Sequence, residues 1–318
     1  MNSRKRAGEV VASKSVRVRV AAWRRLLERC GIKATRKRVH ALRVVTLRLQ
    51  AELERDRTDL PDASREAQAI LRFSKQAEKL RRALSPVREF DVWIGKLRGL
   101  RASLTETGAY VPHSMQESVR GIDRLEERIK KKRNDAEIKL VAQIGKRQSH
   151  FVRASEDVDE ALSEYVFGKE AGIAGDLVER FRAVKADFST FNEENLHEFR
   201  KRIKTVRYLA EIHANTDRAC AQIATQMKKM QSSIGEWHDW QELGLEARRH
   251  RAKGKGIAEL LDTVTAEAFE NALSTVQMIS ASILGENALK AESLQVEGGK
   301  LPARNDQPAL GALDKQLA

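Results

Sequence analysis

Two short stretches of the chain place a histidine three residues before an arginine inside an apolar pattern with helical spacing. They run from His40 to Arg43 and from His197 to Arg200. At about 100° per residue, each arginine lies about 100° and each histidine about 160° from the adjacent apolar residue, so both pairs flank the apolar face alike. These side chains can donate hydrogen bonds to anionic oxygens. We therefore expect anion binding; the alternative is that the histidines are structural residues at a helix interface.

Basic residues recur at helical spacing after the second pair and in one further segment. The first row extends over about three turns and comprises His197, Arg200, Lys204 and Arg207. The other row comprises Arg72, Lys75, Lys79 and Arg82. Like charges at this spacing repel by about a few tenths of a kcal/mol per pair, and an anionic ligand would relieve the repulsion. For the second row alone, a solvated basic face is the alternative.

A second element of similarity follows each histidine–arginine pair. The stretch from Lys79 to Asp91 aligns without a gap with the stretch from Lys229 to Gln241, so that Arg88 corresponds to His238. The apolar positions of the two stretches also correspond. The pattern indicates a duplicated helical hairpin, with tight turns at 84–91 and 234–239.

The apolar spacing predicts ten helical segments and no strands, hence an all-α fold. The predicted segments are 16–29, 36–57, 63–84, 86–100, 114–129, 176–186, 193–213, 216–235, 236–251 and 257–284, with Asp62 and Asn192 as N-caps. Pro86 and Gly235 mark the predicted breaks, and 253–256 a flexible connector. We expect one helical domain over 11–285, with halves of about 11–150 and 151–285. The ends, 1–10 and 286–318, are expected to be flexible and disordered, respectively.

Composition limits the partners that the chain can have. It has 318 residues with 59 Lys+Arg against 45 Asp+Glu, a net charge of +14 and a pI near 9.9. A positive field of this size favours a polyanion. Aromatic residues make up only 5%, and no zinc-finger, RRM-type or KH-type motif is present, which disfavours a sequence-reading nucleic-acid module. A helical protein that binds the nucleic-acid backbone remains the alternative.

The sequence predicts neither a metal centre nor a catalytic site. Cys30 and Cys220 lack the spacing of zinc ligands or of a disulfide framework, which suits a reducing compartment such as the cytoplasm. Glu89, Asp91 and Asp239 are too scattered for the dense oxygen cluster of a phosphoryl-transfer site. Charged residues interrupt every apolar run, so no membrane-inserted helix and no secretory signal are expected.

Other residues are assigned by their context. Trp93, Trp237 and Trp240 occupy apolar positions and are predicted core residues. The four remaining histidines lie outside the repeated histidine–arginine pattern and are predicted at the surface: His113, His150, His213 and His250.

The paired histidine–arginine helices, the run from Arg200 to Tyr208 and the two predicted turns resemble the CHAD family, the conserved histidine α-helical domain. The resemblance covers about 10–285. It implies two helical bundles of long antiparallel helices, related by a pseudo-twofold axis, with a basic cleft or pore between them. It also implies binding of inorganic polyphosphate without catalysis or cofactor. No E-x-E-x-K motif of the triphosphate-tunnel fold is present, as expected for a stand-alone member. Association with polyphosphate granules in the cytoplasm is the corresponding expectation.

The resemblance also implies which residues contact the anion. In the first copy they are His40, Arg43 and Arg48. In the second copy and the hairpin elements they are His197, Arg200, Lys201, Lys204, Arg207, Lys79, Lys229 and His238. The chain departs from the family pattern at Leu47 and Gln50, where basic residues are usual, and at Arg88, which replaces a histidine.

Overall fold

A computed structural model describes residues 2–58, 60–105, 113–163, 173–249 and 255–285. All regular secondary structure in these ranges is helical, which confirms the all-α prediction. The helices are α1 Asn2–Ile32, α2 Arg36–Arg57, α3 Arg65–Thr105, α4 His113–Ala161, α5 Ile173–Ala186, α6 Glu193–His213, α7 Arg218–Arg249 and α8 Lys255–Leu284. None of the helices described is both long and apolar enough to cross a bilayer.

The helices enclose three apolar cores. The first lies among α1, α2, the first part of α3 and the last part of α4, and it includes Trp23 and Phe73. The second lies among α5, α6, the first part of α7 and the last part of α8, and it includes Phe199. The third joins the other ends of α3, α4, α7 and α8. Each of the four long helices therefore passes from an outer core into a shared central one.

The tryptophans predicted in the core are buried there. Trp93 and Trp240 pack in the central core and Trp237 in the second core. Trp240 Nε1 donates a hydrogen bond of 2.9 Å to Glu236, and the Lys96 ammonium lies 4.3 Å from the Trp240 ring centroid. The central core thus has a polar rim that links α3 to α7.

Helices α2 and α6 have the predicted bounds because each has a strong N-cap. Asn192 accepts hydrogen bonds of 3.0 and 2.9 Å from the backbone amides of Glu194 and Asn195, and Asn195 reciprocates through its side chain. Thr35 accepts a bond from the Arg38 amide at the start of α2. Capping satisfies backbone donors that the first turn leaves unpaired, so the helices begin where these residues stand.

The breaks predicted at Pro86 and Gly235 are wrong, since α3 and α7 continue through them. Leu84 and Val87, on either side of the proline, are fully buried, so an uninterrupted apolar stripe holds α3 together. Pro86 itself is exposed. Packing along α3 outweighs the lost backbone hydrogen bond. Gly235 is buried inside α7 and leaves room for a side chain from α6.

Three other predicted helix starts or caps differ from those in the structure. Ser64, not Asp62, caps α3: its hydroxyl accepts a 3.1 Å bond from the Ala67 amide, whereas Asp62 lies in the preceding turn. Helix α1 begins at Asn2, well before the predicted start at 16. Helix α8 begins at Lys255, inside the predicted connector. The tail predicted over 286–318 lies outside the described residues.

Candidate anion-binding site

A cavity of about 640 Å³ lies where α2 and α6 approach each other, with walls from α3 and α5. Each helix contributes one face at three- and four-residue spacing, because such residues share a side of a helix. The cavity is lined by Arg43, Leu47, Gln50, Ala51, Glu54, Arg55, Thr58, Arg81, Arg82, Ser85, Ile173, Asp176, Leu177, Arg180, Lys201, Lys204, Thr205, Tyr208, Leu209 and His213.

Four basic side chains from three helices meet at one end of this cavity, and we call them the cation cluster: Arg43 from α2, Arg81 from α3, and Arg200 and Lys204 from α6. Arg43 donates to the Ser85 hydroxyl at 3.1 Å, and Arg200 donates to a backbone carbonyl of α7 at 3.3 Å. Arg81 donates to the Gln50 side chain at 3.1 Å. All these partners are neutral. Among the described residues, no carboxylate forms an ion pair with any member of the cluster.

Burial lowers the pKa values of three basic side chains in the cluster, and repulsion from nearby cations adds to this effect. Burial and the charges of Arg200 and Arg43 lower the pKa of the Lys204 amine to about 7. Burial and the nearby Arg81 lower the pKa of Arg43. Burial also lowers the pKa of Arg200, although the charge of Asp239 opposes the shift. A negatively charged ligand would reverse these effects, because it would stabilise the charged forms.

Two histidine rings contact each other beside the cluster at a tilted angle of 42°. The ring centroids of His197 on α6 and His238 on α7 are 4.1 Å apart. Burial and the nearby His238 lower the pKa of His197 to about 4. Burial also lowers the pKa of His238, although Glu242 opposes the shift. Both Nδ1 atoms are buried without a hydrogen-bond partner in the described part of the chain. The rings are therefore neutral at pH 7, and each can donate one hydrogen bond.

His40, which the sequence pattern aligns with His197, lies in a different setting. Its side chain is exposed, and partial removal from water together with Arg88 and Arg36 lowers its pKa. Arg88 stands where the second half has His238 and is itself influenced by Asp239. Arginine neighbours therefore replace the histidine partner in the first half.

The structure brings some of the predicted contact residues together at the cavity. Arg43, Arg82, Lys201 and Lys204 line it. Arg200, His197 and His238 do not line it; Arg200 belongs to the cation cluster, and the two histidines lie near it. Together with burial, the charge of Arg200 lowers the pKa of Lys204 and of both histidines.

Other predicted contact residues lie elsewhere. Arg48 forms an ion pair of 3.3 Å with Glu211 and lines a separate cavity of about 570 Å³. Arg207 lies 3.5 Å from the same carboxylate and stacks on the Tyr208 ring at 4.3 Å. Arg72 pairs with Asp157 of α4 at 3.0 Å. Lys75, Lys79 and Lys229 are exposed and do not line either cavity.

Several residues at the cavity were not predicted from the sequence. Arg81 belongs to the repeated stretch, but nothing in its spacing distinguishes it from Arg82. Tyr208 ends the basic run of α6, and its charge interactions reach both Arg43 and Arg200. His213 was expected at the surface; instead it is half-buried, and its Nε2 lies 3.3 Å from Arg55 Nη1.

Two of the carboxylates considered from the sequence are near neighbours, since the charge of Asp239, after burial and Glu242, helps to raise the pKa of Glu89. Asp91 is buried and accepts a bond of 3.1 Å from Arg133, which connects α3 to α4. Burial raises the pKa of Glu89 and of Asp239. Within the described ranges, no three His, Cys, Asp or Glu side chains form a group suited to a metal ion.

Comparison with known proteins agrees with this architecture. A model of the CHAD domain family matches residues 14–248, so the chain belongs to that family. Among solved structures, PptA from Streptomyces chartreusis is similar, with a TM-score of 0.58, 14% sequence identity, and coverage of 84% of this chain and 95% of that chain. At this identity the similarity shows the fold alone. A search of curated proteins found no match.

Proposed function

We propose that this chain binds inorganic polyphosphate and does not catalyse a reaction on it. Membership of the CHAD domain family supports the ligand class, since the family is known to bind polyphosphate. The observation that carries the proposal is the cation cluster. Its four partly buried cations have no carboxylate at ion-pair distance among the described residues, so their charge is left for a ligand to neutralise.

The chemistry of the cluster suits a chain of phosphate groups. Each guanidinium can contact two phosphate oxygens, and the Lys204 amine provides a compact charge. A charge-assisted contact contributes about 1.5–3 kcal/mol. A long chain that engages several cations gains further affinity through multivalency, so binding should strengthen with chain length and weaken with salt.

The two halves of the chain contribute matching contacts to the proposed cleft. Arg43 of α2 donates a hydrogen bond to Ser85 of α3, and Arg200 of α6 lies against Gly235 of α7, the residue that aligns with Ser85 in the repeated stretch. This correspondence supports an internal repeat with a basic cleft between its halves. Among the described residues, only two carboxylates line the cavity, Glu54 and Asp176, which favours binding over catalysis. A cytoplasmic protein of this kind would associate with polyphosphate granules.

Calorimetric titration of the intact chain tests the proposal. Long-chain polyphosphate is compared with a DNA duplex at equal phosphate concentration over a range of salt concentrations. We expect tighter binding of polyphosphate, increasing with chain length. The variant Arg43→Ala/Arg200→Ala/Lys204→Ala removes most of the cluster and should lose most of this affinity.

A charge-matched variant separates the cluster from general electrostatics. Arg65→Ala/Arg182→Ala/Arg248→Ala removes the same formal charge from exposed arginines that pair with carboxylates elsewhere. It should retain nearly all the affinity. Equal losses in the two variants, or tighter binding of DNA, would overturn the proposal and favour a nucleic-acid-binding protein.

A further inference from the structure

The cavity changes in character along α2. Arg43 lies at the basic end, Leu47 and Ala51 follow one and two turns later, and Glu54 and Thr58 lie beyond them. At about 1.5 Å per residue, this face spans about 22 Å. Cations of the cluster therefore occupy only its first part.

Helix α6 shows the same gradient in the same direction. Lys204 lies with Arg43 at the basic end, whereas His213 contacts Arg55 near the other end of α2. Between them, Tyr208 and Leu209 line the cavity. The cavity thus has a basic end, an apolar middle and a polar far end.

Packing against the apolar cores explains only part of the apolar middle, since Leu209 packs against the second core. Leu47 is only half-buried and belongs to none of the three apolar cores, and the same is true of Ala51. Apolar side chains that line an open cavity gain free energy when a ligand with an apolar face covers them. An inorganic phosphate chain has no such face.

The polar residues at the far end of the cavity are poorly suited to a purely aliphatic ligand group. Glu54 accepts hydrogen bonds from Ser74 and Arg57, Arg55 donates to Asp56, and Thr58 donates to the backbone carbonyl of Glu54. Each group keeps further hydrogen-bonding capacity, since a carboxylate has about four acceptor sites, a guanidinium has five N–H donors and a hydroxyl oxygen can also accept. Groups of this kind suit the polar edge of a nucleobase or the hydroxyls of a sugar. The cavity volume of about 640 Å³ is typical of a small-molecule site.

We infer that this cavity binds a nucleoside polyphosphate, with its phosphates at the cation cluster and its base against Leu47, Ala51 and Leu209. The inference rests on the proposed function, because the same cluster would hold the phosphates. It adds that an organic group increases the affinity beyond that of phosphates alone.

The test compares ATP with inorganic tripolyphosphate by calorimetry, without divalent cations. Tripolyphosphate carries at least as much negative charge, so charge alone would favour it. We expect ATP to bind at least about tenfold more tightly, equivalent to about 1.4 kcal/mol. Leu47→Lys should reduce this preference and strengthen tripolyphosphate binding. Ile138→Lys introduces the same charge at an exposed apolar position of α4 and should leave the preference unchanged.

The outcomes distinguish this inference from the proposed function. Equal or tighter binding of tripolyphosphate, or an unchanged preference in Leu47→Lys, overturns the inference, and long-chain polyphosphate binding would then still support the proposed function. Tight ATP binding that is lost in Leu47→Lys, without binding of long-chain polyphosphate, supports the inference for this cavity and overturns the proposed function. Absence of binding by all three ligands overturns both.

Discussion

The guanidinium group of Arg200 lies against the backbone of Gly235. A Cβ atom on Gly235 would stand 2.8 Å from Nη2 and 3.2 Å from Nε of Arg200. The glycine therefore lets the α6 arginine cross the surface of α7 and reach the carbonyl oxygen of Gln231. A position that the sequence pattern suggests as a helix break instead positions a cation of the cluster.

Replacing this glycine should weaken binding without unfolding the protein. In Gly235→Ala, the methyl group displaces the Arg200 guanidinium, and polyphosphate affinity should fall about tenfold as roughly one charge-assisted contact of about 1.5 kcal/mol is lost. Calorimetry measures the affinity. Gly244→Ala is the control, since a Cβ there has no neighbour within 4 Å. Both variants should keep their helicity, and an equal affinity in the two would contradict the role assigned to Gly235.

Binding of polyphosphate should be coupled to proton uptake by Lys204. Its pKa is about 7 in the free protein, so the amine is mostly neutral at pH 8. A polyanion raises this pKa, and about one proton should be taken up per site at pH 8. Titrations in buffers of different ionisation enthalpy measure the uptake. Lys204→Met should abolish it; persistence in this variant would assign the proton to another group.

The same residue should reduce the stability of the free protein at low pH. The pKa of Lys204 is lower in the folded protein than its ordinary value of 10.5. Between pH 7 and 10.5 the unfolded chain binds more protons, so the contribution of Lys204 to the free energy of unfolding increases with pH in this window. At pH 6, Lys204→Met should be more stable by about 1 kcal/mol or more, since a buried unpaired charge is removed. Urea unfolding at pH 6 and pH 10 measures the difference, which should shrink at pH 10.

The basic residues of α3 should differ in their contribution to polyphosphate binding. Arg72→Ala/Lys75→Ala/Lys79→Ala changes residues outside the cavity and should reduce polyphosphate affinity less than about threefold at physiological salt, where exposed charges are screened. Arg81→Ala removes one member of the cation cluster and should cost about tenfold. A larger effect of the triple variant in calorimetry would place the ligand on the outer surface of α3 instead.

Pro86 should reduce the stability of the helix that contains it. Pro86→Ala restores a backbone donor at an exposed position inside α3, and the free energy of unfolding should rise by about 1–3 kcal/mol. Urea denaturation measures the change. Unchanged stability would show that the backbone near Pro86 has already adjusted to the missing donor.

Local patterns predict the elements of this fold better than its site. Helices α2 and α6 could be bounded from periodicity and caps, because both signals are local. The breaks predicted at Pro86 and Gly235 are wrong because burial of the flanking apolar residues decides whether the helix continues. That burial depends on how the helices pack and is not a local signal. The position of Lys204 near Arg200 also follows from spacing along a single helix.

Local sequence patterns could not predict which carboxylates pair with the predicted cations. Arg48 pairs with Glu211, and Arg72 pairs with Asp157, far away in sequence. These acids neutralise cations that look equivalent to the cluster when a helix is viewed alone. Which of Arg81 and Arg82 joins the cluster depends on the rotation of α3 against α2. Only the packing of helices separates the neutralised cations from those left for a ligand.

The shared central core has a consequence for the order in which the protein is made. Trp93, Leu97 and Ile122 belong to the first half, whereas Trp240, Leu243 and Leu261, which pack in the same core, follow more than a hundred residues later in the sequence. During synthesis the first bundle can form while these apolar ends of α3 and α4 still lack their second layer. Exposed apolar surface of this kind attracts chaperones and promotes aggregation. The ribosome must therefore release α7 and α8 before the central core can be completed.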